Sequence, residues 1–138
     1  MIYFGYTYCP DVCPMSLADM LKVKRALGDR ADEITFLMIT VDPERDTPAA
    51  LKNRLSVFDP TFLGLYGERP TLEAIWDDFG VSVVRENVQG SAAGYLIAHS
   101  AFLYLVGRDG ELHVQFPFGA LPEDMVKDIN RVLDEGVN

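Results

Sequence analysis

Two cysteines, Cys9 and Cys13, are the only ones in this 138-residue chain, and they stand four positions apart. A lone thiol is usually a small buried apolar side chain. Two at this spacing, with none elsewhere, call for a chemical reason. Residues i and i+4 of a helix lie on one face, with Cα atoms roughly 6 Å apart. That separation is inside the disulfide range of about 4.4 to 6.8 Å. The pair can therefore close into a disulfide, or both sulfurs can converge on one metal ion, and spacing alone leaves both open. An apolar strand runs into the pair and a helical pattern starts behind it. The helix N-terminus offers unpaired N–H groups and a partial positive charge. Both favour the thiolate, which is the form that binds metal or attacks a disulfide.

A third ligand must come from elsewhere in the chain. There are two histidines, His99 and His113. His113 falls in an alternating stretch with Glu111 and Gln115, where a solvated strand face is the ordinary reading. His99 precedes an apolar strand, Ser100 to Val106. If that strand runs antiparallel to the one before Cys9, it begins at the sheet end where the first finishes, beside the cysteines. Asp42, at the end of a parallel second strand, points to that end too, and ligands of open α/β sheets gather there. Two thiolates and an imidazole form a soft three-donor set suited to Cu(I) or zinc. Structural zinc wants a fourth Cys or His, so three-coordinate Cu(I) is the better fit. The bland alternative for His99 is a hydrogen-bonded loop residue.

The elements that must position these groups can be read in order. Ile2 to Thr7 is strand, aromatic and β-branched, and Tyr8 to Pro14 is the turn. Met15 to Leu27 is a helix whose apolar face holds Leu17, Met20, Leu21 and Leu27, with Gly28 as its stop. Ile34 to Val41 is a near-continuous apolar run, as in a strand buried on both faces. Strand, helix and strand make a βαβ unit. Thr47-Pro48 caps a helix to about Val57. Phe62 to Tyr66 and Val81 to Glu86 are short strands around a helix capped by Thr71 and stopped by Gly80. Asn87 to Gly94 is a polar loop. Ser100 to Val106 and Glu111 to Phe116 form a hairpin about an Asp-Gly turn, and Pro122 opens a last helix. Phe116 and Phe118, Trp76 and Met15 are read as packing residues. The fold class is α/β: one domain, 1–138, with a central mixed sheet flanked by helices in the thioredoxin-like order.

Composition narrows the function. Net charge is −9 and 49% of residues are apolar. Nucleic-acid binding needs a basic footprint and is excluded as an expectation. No run of about 18 apolar residues occurs, so no transmembrane segment is expected.

The run YFGYTYCPDVCP, the loop VDPERDTP (Asp42 to Pro48 with the preceding Val41) and the segment AHSAFLYLVGRDGEL resemble the SCO/SenC family, in order and spacing, over essentially the whole chain. CPxxCP by itself is a weak signal; the combination is specific. The resemblance implies a thioredoxin-fold copper metallochaperone, not an enzyme in the usual sense, that helps assemble the dinuclear copper centre of cytochrome c oxidase. It implies that Cys9 and Cys13 are the copper-binding and redox-active pair, that His99 is the third copper ligand, and that Asp42 neighbours the site. The cargo is copper, first as Cu(I), with Cu(II) kept open. Implied partners are the copper-accepting oxidase subunit, other copper chaperones and thiol–disulfide reductants. The implied location is the periplasm or the mitochondrial intermembrane space, with a membrane anchor usual in the family.

Two features depart from the family pattern. Tyr8 stands where a histidine often precedes the first cysteine. The chain also opens directly on a buried-type strand, without the family's anchor and leading segment, so a shortened sequence is expected. Two other activities compete. A thiol–disulfide oxidoreductase would use the same cysteines without copper. A peroxiredoxin-like peroxidase needs a threonine three residues before its cysteine; Thr7 is two before Cys9, which counts against it.

Overall fold

The computed structural model describes residues 1–10, 12–92 and 94–136. Asp11 of the cysteine motif, Ala93 of the predicted loop and the last two residues of the predicted domain lie outside the described residues.

The first strand, β1 (Ile2–Gly5), is buried along its whole length. Apolar side chains on both of its faces require cover on both. It pairs in parallel with β2 (Leu37–Thr40), which pairs in parallel with β3 (Leu63–Leu65). On its other side β1 pairs antiparallel with β6 (Leu103–Val106), which forms a hairpin with β7 (Leu112–Phe116). The main sheet is thus five-stranded and mixed, in the order β3-β2-β1-β6-β7. A separate two-stranded ribbon joins β4 (Val83–Asn87) to β5 (Tyr95–His99).

Helix α1 (Val12–Leu27) buries Leu17, Met20, Val23 and Leu27 and packs against α4 (Pro122–Asp134), whose Met125 and Ile129 are also buried. Residues alternate across a strand, so Tyr3 and Phe4 serve opposite faces. Tyr3 meets Cys13 of α1, and Phe4 meets the ring of Phe79 at the end of α3 (Arg69–Asp78). Helix α2 (Pro48–Ser56) lies against β3, its Leu51 and Leu55 closing over Gly64. Trp76 packs as expected and donates its indole N–H to the Thr40 carbonyl at 3.3 Å.

Most elements lie where the sequence reading puts them, with boundaries shifted by up to three residues: β1, β2 and β6 are shorter than read, spanning Ile2–Gly5, Leu37–Thr40 and Leu103–Val106. Helix α1 begins at Val12, not Met15, because Pro14 is tolerated in a first turn. Helix α3 begins at Arg69, with Pro70 in its first turn, so Thr71 is not its cap. Thr47 does cap α2, accepting the Ala50 amide at 3.1 Å. Gly28 and Gly80 end α1 and α3 with positive φ of 59° and 64°, as glycine readily does. The strand β5 was not foreseen: the sequence reading left residues 95–99 unassigned and started the next strand at Ser100.

Candidate metal centre

The cysteine turn is built by β1 and α1. Cys13 is the second residue of α1, and its backbone N–H donates to Cys9 Sγ at 3.4 Å. Cys9 thus sits at the helix N-terminus, where an unpaired donor and the macrodipole both favour negative charge. Both cysteines are buried and unbridged. Tyr3, fully buried in β1, donates its hydroxyl to Cys13 Sγ at 3.3 Å. Gly5 makes that approach possible. A Cβ there would stand 2.6 Å from Tyr3 Cε1 and 3.0 Å from Cys13 Sγ. The expectation that the helix end favours thiolate does not extend to Cys13 in the metal-free protein. Its hydrogen bond with Cys9, and then burial, push the Cys13 thiol well above its ordinary pKa, against a smaller opposing pull from the Tyr3 hydroxyl.

His99 arrives on β5. Its Nε2 lies 3.6 Å from Cys13 Sγ, and its Nδ1 lies 3.0 Å from the Ser100 carbonyl oxygen. A carbonyl can only accept, so Nδ1 carries a proton, and in the neutral ring this leaves the Nε2 lone pair toward the Cys13 sulfur. That is the way a ligating imidazole is usually oriented. The ring stands edge-on to Tyr3 and Tyr6, with centroids 6.1 and 5.8 Å away. One donor atom from each of Cys9, Cys13 and His99 lies within 4.8 Å of the other two. An ion at the centre of a triangle with sides of about 4 Å stands about 2.3 Å from each corner, a normal metal–sulfur distance. The donor set and its spacing therefore fit a soft ion. An open cleft of about 240 Å³, lined in part by Cys9, Pro10, Glu86, Leu96 and His99, leads to this cluster. A larger hollow of about 370 Å³ lies at the opposite end of the sheet, beside Met1, Leu105 and Val132, and contains none of the three ligand candidates.

Asp42 is fully buried and is not among the three converging groups. It accepts the Tyr95 hydroxyl on Oδ1 at 2.6 Å and Arg45 Nε on Oδ2 at 2.5 Å. The first bond ties Asp42 to the head of β5, the strand that carries His99. Its hydrogen bond, after burial itself, helps push the Tyr95 phenol up to about 12. A second buried carboxylate in the same loop, Asp46, serves the cysteine turn. It accepts the Thr7 hydroxyl at 2.5 Å, the Thr7 amide at 3.2 Å and the Thr40 hydroxyl at 2.8 Å. Burial raises the Asp46 carboxyl, and these donors only partly offset the rise.

With this geometry in view, the chain can be set beside known proteins. The SCO1/SenC family model matches residues 1–134. This chain belongs to the SCO1/SenC family. A SCO2-like protein of Rickettsia conorii is 37% identical over 127 residues, covering 92% of this chain and 62% of the relative. The human mitochondrial SCO1 homolog is 35% identical over 113 residues, 80% of this chain and 37% of its own length. A structure of Bradyrhizobium japonicum ScoI with copper bound superposes with a TM-score of 0.83 at 41% identity, over 94% of this chain and 82% of that one. The fold is the thioredoxin-like one of the Sco structures. The chain spans less than two thirds of the length of these Rickettsia and human relatives. No helix among the described residues is long and apolar enough to cross a membrane.

Several residues that shape this SCO1/SenC site escaped the sequence reading as site residues: Tyr3, Tyr6 and Tyr95. The Tyr6 hydroxyl accepts the Ile97 amide at 3.0 Å and so ties β5 to the end of β1. The available signal was alternation: Tyr3 and Gly5 share a strand face, the one that meets α1. Tyr95 had no such signal, because residues 95–99 carry no element in the sequence reading.

Proposed function

We propose that this chain is a copper metallochaperone. It binds copper through Cys9, Cys13 and His99, and it delivers that copper to, or keeps reduced the thiols of, the dinuclear copper site of cytochrome c oxidase. The observation that carries the reading is the convergence of two sulfurs and one imidazole nitrogen within 4.8 Å. Soft thiolates with one imidazole suit Cu(I). Three donors leave one side open, and the cleft beside Cys9 and His99 gives an incoming ligand a path to that side. Transfer then proceeds by exchange: an acceptor thiolate or imidazole adds as one of this chain's donors leaves, without net redox change. The net charge of −9 favours a basic acceptor face. Family membership supports the periplasm or the intermembrane space as the location.

A second reading is supported by the closeness of the sulfurs. As a thiol–disulfide oxidoreductase, the chain would attack a partner disulfide through the Cys9 thiolate and form a mixed disulfide. The Cys13 sulfur, losing its proton, would then displace the second partner sulfur. The products are a Cys9–Cys13 disulfide and a partner with two thiols.

Cu(I) titration of the reduced protein beside Cys9→Ser, Cys13→Ser and His99→Ala distinguishes the two. The metallochaperone reading expects one equivalent bound by the parent and a large loss of affinity in all three variants. Parent-like affinity in His99→Ala, with thiol exchange intact, would favour the oxidoreductase.

A further inference from the structure

Tyr8, Arg45, Tyr95 and Arg85 form an alternating stack of phenol and guanidinium that lies outside the ligand set. The Arg45 guanidinium carbon sits 4.6 Å from the Tyr8 ring centroid and 3.5 Å from that of Tyr95. Arg85 of β4 stands 3.7 Å from the Tyr95 centroid. Arg45 is also tied down by hydrogen bonds. Its Nε donates to the buried Asp42 carboxylate at 2.5 Å, and its Nη1 donates to the Tyr95 carbonyl at 3.0 Å. Tyr8 is the residue before Cys9, and Tyr95 is the first residue of the strand that ends at His99. One side chain therefore touches both halves of the candidate centre.

We propose that Arg45 is a positioning residue for the copper site: wedged between Tyr8 and Tyr95 and held by Asp42, it fixes the cysteine turn against the His99 ribbon. The proposal rests on the copper reading above. A planar, always-charged fork can stack on two rings while bonding a carboxylate and a carbonyl; an ammonium cannot do all of this. The ribbon needs such a tie because it lies outside the main sheet, and among the described residues β5 pairs with β4 alone. Tyr8 also finds a role here. Where the family often has a histidine, this chain supplies an exposed ring for Arg45 to lie on.

The test is a cycle of Cu(I) affinities by chelator competition for the parent, Arg45→Ala, Arg45→Lys, His99→Ala and Arg45→Ala/His99→Ala. Residues that orient metal ligands typically change affinity by about 10–100-fold. Arg45→Ala is expected to weaken binding by about tenfold or more, and Arg45→Lys by at least about fivefold. In the His99→Ala background the arginine change should cost less than about twofold, because Arg45 acts through His99. Equal losses in both backgrounds, or full rescue by lysine, would overturn the proposal. Parent-like affinity in Arg45→Ala beside a weakened His99→Ala would overturn it while leaving the copper reading intact. Parent-like affinity in His99→Ala would remove both. A second arm needs no copper: amide exchange at Ile97 and Ser100 in the metal-free protein should quicken at least about fivefold in Arg45→Ala. Unchanged exchange there would show that the ribbon is not held by this stack.

Discussion

Cys9 and Cys13 follow a strand paired on both sides and buried throughout, whereas His99 ends a strand paired on one side in a ribbon apart from the main sheet. The first half is placed by main-sheet hydrogen bonds and core packing. The second is placed by two buried side chains, Tyr95 and Ile97, and by a few polar contacts: Tyr6 to the Ile97 amide, Tyr95 to Asp42, and Arg45 to the Tyr95 carbonyl. Packing is dense and intolerant of added volume. Side-chain hydrogen bonds are individually worth about 1 kcal/mol net. The two halves should therefore fail differently when disturbed: the cysteine half with the whole fold, the histidine half locally.

The largest effect is expected from Gly5→Ala. The added methyl would meet Tyr3 Cε1 at 2.6 Å and Cys13 Sγ at 3.0 Å, and both groups are buried. Overpacking of this kind costs roughly 1–3 kcal/mol. Urea denaturation should show that loss globally, and Cu(I) affinity should fall with it because Sγ must move. A variant within about 0.5 kcal/mol of the parent, the range of an ordinary surface change, would mean that the cysteine half yields more easily than its packing implies.

The same contrast explains what was legible in the sequence. The main sheet came through as apolar runs and the helices as periodic apolar faces; with Gly28 and Gly80 as stops, these set the topology. That topology brought His99 to Cys13 from far along the chain, because the strand after it runs antiparallel to β1. The ribbon was less legible. Its first strand is legible as Val81 to Glu86, but the short apolar run Tyr95 to Ala98 of β5 directly follows a glycine-bearing loop and almost abuts the next apolar stretch, so nothing local separates it as a strand of its own. Asp42 was legible as a neighbour of the site, but its partners were not. A carboxylate's partner is a matter of distance in space, and Tyr95 lies 53 residues away. Asp46 and Arg45 stand in the same charged loop, and their partners, Thr7 and Tyr95, are likewise set by distance in space.

A smaller, confined effect is expected from Tyr6→Phe. The ring that stands beside His99 is kept, and the acceptor for the Ile97 amide is lost. A lost hydrogen bond of about 1 kcal/mol corresponds to roughly fivefold faster exchange at that amide. Exchange at the β1 amides should hold at the parent rate after correction for global stability. If β1 and Ile97 accelerated together, the ribbon and the sheet would open as one unit and the contrast between the halves would be lost.

The smallest effect belongs to Tyr104, and its sign is the informative part. Tyr104 of β6 is opposite Ile2 in the sheet and packs its ring against Phe4, Phe79 and Phe102. It is fully buried, and its hydroxyl has no hydrogen-bond partner among the described residues. A buried polar group without a partner costs free energy that removing it recovers, here at most about 1 kcal/mol once the small void left behind is counted. Tyr104→Phe should therefore be neutral or slightly stabilising in urea, with Ile97 exchange changed only through global stability. A loss of more than about 1 kcal/mol would mean that the hydroxyl is satisfied in solution. The sheet half would then rest on a polar contact, as the ribbon does, and the two halves would differ in degree alone.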